Sequence, residues 1–81
     1  MSTITKPVFR FQFPDEVKGT LFYKRVHSFP DVSQVHYPLR RDSGEFDKAQ
    51  VFVHGTGSLV FDIALKDKLQ EISESLGGVI L

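Results

Sequence analysis

Between Lys48 and Leu65 apolar and polar residues take turns. Ala49, Val51 and Val53 interleave with Lys48, Gln50 and His54, and Leu59, Phe61, Ile63 and Leu65 interleave with Ser58, Asp62 and Ala64. A period of two is the mark of half-buried strands, so this stretch predicts a hairpin turned at Gly55-Thr56-Gly57-Ser58. From Leu65 the step changes: Leu65, Leu69, Ile72 and Leu76 are spaced by four, three and four, one face of a helix. Asp67 suits the positive end of that helix. Gly77-Gly78 supplies its stop. Val79-Ile80-Leu81 is left as an apolar tail, which the pattern assigns either to an extra strand or to packing on a partner.

The first half repeats the strand pattern less cleanly. Phe9, Phe11 and Phe13 alternate with Arg10 and Gln12, predicting a strand over Val8 to Phe13 that Pro14 ends. Thr20 to Ser28, with Leu21, Phe22, Tyr23 and Val26, reads as a second strand carrying apolar residues on both faces. Ser33 to Tyr37 reads as a weaker third strand at an edge, stopped by Pro38, and Arg40 to Asp47 as a polar loop around Ser43-Gly44. Phe13-Pro14-Asp15 recurs as Phe29-Pro30-Asp31. Proline presets φ and aspartate caps its own turn, so the repeat is read as one turn chemistry ending two strands. The expected fold is α+β, a single antiparallel sheet of four to five strands with one C-terminal helix packed on one face. Residues 1–6 are expected to fray, and residues 7–81 to form a single domain. Four strands and then a helix is similar in order, though not in motif, to dimeric single-strand-binding modules of the Whirly type.

Composition narrows the class. Eighty-one residues with 41% apolar and 25% charged side chains suit a folded domain of ordinary make-up. Cores near this size rarely supply more than roughly 3–5 kcal/mol, and small domains are often stapled. Cysteine is absent, which removes disulfides and thiolate metal sites together and makes self-association the expected extra source of stability. No apolar run reaches the length of a membrane span and no secretory pattern opens the chain, so no membrane partner is expected and the expected setting is cytoplasmic. Ten basic and ten acidic residues cancel, but unevenly: seven bases face three acids through Arg41, giving +4, and three bases face seven acids from Asp42 onward, giving −4.

Tests for catalytic chemistry come back empty. Gly55-Thr56-Gly57 has Val60 where a dinucleotide fingerprint needs its third glycine, and no Gly-Lys-Ser/Thr follows. Ser58 beside His54 lacks the glycines of a nucleophile elbow and a third orienting group. His27, His36 and His54 match no metal-binding spacing. No catalytic residue, metal site or cofactor is therefore expected.

A surface remains. With Phe9, Phe11, Val51, Val53, Phe61 and Ile63 facing the helix, the opposite sheet face would carry Arg10, Gln12, Phe52, His54, Val60, Asp62 and one side of Thr20–Ser28. Aromatics set among cations are what protein interfaces and single-stranded nucleic-acid platforms share. The expected function is a small non-enzymatic interaction protein, an adaptor, inhibitor or regulator. It would bind a protein partner through this aromatic and basic face, as a homodimer. Phe22, Tyr23, Lys24, Arg25, Arg40, Arg41, Phe52 and His54 are its expected binding residues. The alternative is a single-stranded nucleic-acid binder using the same face.

Overall fold

The structure, a computed structural model, describes residues 6–81. All of the segment expected to fray except Lys6 lies outside the described residues. The chain runs β1 (Val8–Gln12), α1 (Glu16–Val26), β2 (Gln34–His36), β3 (Gln50–His54), α2 (Leu59–Ser75) and β4 (Val79–Ile80). The strands form one antiparallel sheet in the order β2-β3-β1-β4. β3 lies between β1 and β2, and β1 lies between β3 and β4, so two split βαβ units interleave in the ferredoxin-like manner. The α+β class and the single antiparallel sheet match expectation, and a C-terminal helix does pack on one face. A second helix, interleaved between strands, replaces the expected run of four strands before one helix. With it goes the likeness in order to Whirly-type modules.

Thr20–Ser28 is the first correction, because it lies mostly within α1. Its aromatic and β-branched residues favour a strand, but Gly19, Phe22 and Val26 are its buried positions, spaced by three and four as a helix face requires. The helix starts because Asp15 accepts a hydrogen bond from the Lys18 amide at 2.9 Å, which satisfies one of the unpaired first-turn donors. Apolar residues on both faces were the trace of a helix seen with the wrong period. The first Phe-Pro-Asp thus joins a strand to a helix, and the second follows the helix into β2.

The second correction is the start of α2. Leu59 to Leu65 alternates, yet it is helical from Leu59. The buried positions Asp62, Leu65, Leu69 and Ser73 step by three, four and four. Leu59, Phe61 and Ile63, the alternating apolar set, stand 74%, 56% and 56% exposed. The loop Gly55–Ser58 is therefore a strand-to-helix connection. The Asp62 carboxylate reaches back to accept from the Thr56 amide and hydroxyl at 2.8 and 2.9 Å and from the Gly57 amide at 3.0 Å. The tail becomes β4, whose Ile80 and Val79 pair with Phe11 and Gln12 of β1.

Both helices cover one face of the sheet. Phe11, Phe13, Val51 and Val53 from the strand side meet Phe22, Val26, Leu65 and Leu69 from the helices in one buried cluster. Phe22 is central, its ring 4.8 Å from Phe11 and 4.9 Å from Phe13. Fully burying each such side chain contributes roughly 1.5–3 kcal/mol.

Candidate ligand-binding face

Strand alternation leaves the opposite face of the sheet bare of helix. Once Phe9, Phe11, Val35, Val51, Val53 and Ile80 turn toward the helices, the period of two sends their neighbours outward. Val8, Arg10 and Gln12 come from β1, Gln34 and His36 from β2, Gln50, Phe52 and His54 from β3, and Val79 from β4. Pairing then aligns them in rows. Arg10 lies opposite Phe52, and Phe52 opposite His36; Val8 lies opposite His54, and His54 opposite Gln34.

The middle row is a continuous stack of contacts. The Arg10 guanidinium carbon sits 5.4 Å from the centroid of the Phe52 ring, within cation–π range. His36 meets the same ring edge-on, with centroids 5.4 Å apart at 66°. His36 and His54 then approach through their Nε2 atoms at 2.9 Å. Burial, the neighbouring His36 and the positive charge of Lys6 all push the His54 imidazole below its ordinary pKa. Among the described residues no strand contributes a carboxylate to this face: its strand residues are one arginine, two histidines, one phenylalanine, three glutamines and aliphatics. The ten acidic residues of the chain all fall in helices and loops.

The expected binding residues do not stay together. Phe52 and His54 stand on this open face. Phe22, expected as an exposed anchor, is fully buried between the sheet and the helices, because its segment is helical. Tyr23 is half-buried on α1, stacked between Tyr37 at 4.6 Å and His27 at 5.9 Å. Burial raises the pKa of the Tyr37 hydroxyl, a hydrogen bond with Thr20 works against it, and Tyr23 adds to it. Lys24 and Arg25 are exposed in the last turn of α1. Arg40 leaves the β2–β3 connection to pair with Glu16 at 2.9 Å and Asp47 at 3.7 Å, and Arg41 is exposed beside it. Val60 and Asp62, expected on the open face, belong to α2 instead.

Sequence reasoning left His36 and Gln34 off the face. Their signal was present in the parity around Val35, and it becomes readable once β2 is paired with β3. Among the described residues no three side chains of metal-ligating type come together, and no helix is long and apolar enough to cross a membrane. Comparison with protein-family models, with curated proteins and with solved structures gives no match.

Proposed function

We propose that this chain is a non-enzymatic binding module whose open sheet face takes up single-stranded nucleic acid. The observation that carries the reading is the row Arg10–Phe52–His36 across the two middle strands and β2, on a face whose strands bring no carboxylate. Four-stranded sheets that read single-stranded RNA stack bases on aromatic rings, and arginine planes serve the same purpose. Gln12, Gln34 and Gln50 add amide donors and acceptors suited to base edges. A net charge of zero over the whole chain matters less than where the charges lie, because phosphates meet only the face that binds them. The test is fluorescence anisotropy with labelled single-stranded DNA and RNA at low and moderate salt. Binding should weaken as salt rises. Phe52→Ala should lose about 1–3 kcal/mol, the worth of one stacked base, and Arg10→Glu should lose more. Absence of binding at low salt would sink the reading.

A second reading, a protein partner including a second copy of the chain, is favoured by a different surface. The first two turns of α2 expose Leu59, Val60, Phe61 and Ile63, Val60 at 76%. Leu59 and Ile63 also border a groove of about 350 Å³ reaching Pro7 and Phe9. Exposed apolar side chains bordering such a groove suit an interaction site.

A further inference from the structure

His36 and His54 are the titratable pair on the open face. Their Nε2 atoms lie 2.9 Å apart with ring centroids 5.0 Å apart, an end-to-end hydrogen bond and not a ring stack. Such a bond needs one ring to donate Nε2–H and the other to offer a bare Nε2. The geometry therefore admits two states of the pair. In the neutral state each ring holds one proton, on Nε2 of the donor and on Nδ1 of the acceptor. In the singly charged state a proton from solvent enters at the bare Nδ1 of the donor, and the bond persists as a stronger, charge-assisted one. A second proton would set two N–H groups against each other and break the contact.

We propose that His36 and His54 are a proton-sharing pair that sets the charge of the open face, so that uptake of one proton tightens its grip on a phosphate-bearing strand. The proposal rests on the nucleic-acid reading and gives it a regulation. Either ring can donate, according to its tautomer. Both rings stand on the open face, and that of His36 lies edge-on to Phe52, so a proton taken up by the pair places its charge beside a stacked base. Among the described residues, Arg10 from β1 and Lys6 just before it bring positive charge near the pair; β2 and β3 add the neutral Gln34, Gln50 and Phe52. The pair thus gains its charge without a carboxylate on the sheet to neutralise it.

Nitrogen-15 NMR of the imidazoles in the free protein tests the pair by itself. Titrated between about pH 8 and about pH 5, the two rings should show coupled steps, and His54→Asn should change the His36 curve. Two independent curves, each indifferent to substitution of the other ring, would overturn the pair. Anisotropy of a labelled oligothymidylate at fixed ionic strength tests the consequence. Affinity should rise about two- to fivefold over the same acid range, the size of one partly exposed charge contact, and the salt dependence should steepen by about 0.7 in log–log slope. His36→Asn and His54→Asn should each flatten this rise, whatever affinity they retain. His27→Asn, off the face at the end of α1, should keep it. A rise that survives both substitutions would overturn the proposal. No binding at any pH would overturn its ligand half together with the function reading, while the NMR result would still decide the pair.

Discussion

Gly19 and Gly44 show how differently one residue type can be constrained. Gly19 lies where α1 crosses the approach to β3, and a methyl group there would run into the Lys48 carbonyl, a backbone atom with nowhere to retreat. Gly44 sits in the β2–β3 connection with φ of 71° and open space around it. Gly19→Ala should therefore cost about 2–3 kcal/mol through overpacking, despite the better helix propensity of alanine. Gly44→Ala should cost about 1 kcal/mol through backbone conformation alone. Urea denaturation would read both as shifts of midpoint at unchanged slope. A neutral Gly19→Ala would mean that α1 stands off the sheet.

The start of α2 is held by a single side chain. Ser58 occupies its N-cap position without a capping hydrogen bond, and Asp62, one turn in, holds the preceding loop through the Thr56 and Gly57 amides. Asp62→Ala strands those donors and should lower stability by about 2–3 kcal/mol. Hydrogen exchange at Thr56 and Gly57 should quicken, and unchanged exchange there would show that the loop holds itself. The same clamp explains what the sequence hid. β1, β2 and β3 were legible because Phe9 to Phe13, Gln34 to His36 and Gln50 to His54 alternate on a sheet with one wet face. Leu59, Phe61 and Ile63 alternate too, but their exposure serves no strand, and the inward turn of Asp62 that sets the helix register is a tertiary contact. In α1 the period of three and four passes through Gly19, whose burial no hydrophobicity pattern records. The candidate face was half legible for the same reason: Arg10, Gln12, Phe52 and His54 follow from parity within their strands, whereas His36 and Gln34 join them only through the pairing of β2 with β3.

For the molecule as a whole, the two faces carry different surfaces. The sheet side is polar, cationic and aromatic, and the helix side exposes Leu59, Val60, Phe61 and Ile63 at one end. If copies of the chain associate, they should do so through α2 and leave the sheet open. Sedimentation should show a mass that grows with concentration, and Val60→Asp should return it to that of one chain without loss of helix. A wild-type mass that never rises would remove the second copy as occupant of that surface. The strand order has a consequence in time as well. Both neighbours of β1 in the sheet, β3 and β4, come after it in the chain. During synthesis the segment from Val8 to Phe13 must wait as an unpaired, phenylalanine-rich stretch, the kind that seeks edges on other chains. Arg10 interrupts it at its centre, as charges do in strands that would otherwise aggregate. The guanidinium that meets Phe52 in the finished sheet is also the guard of that strand before the sheet exists.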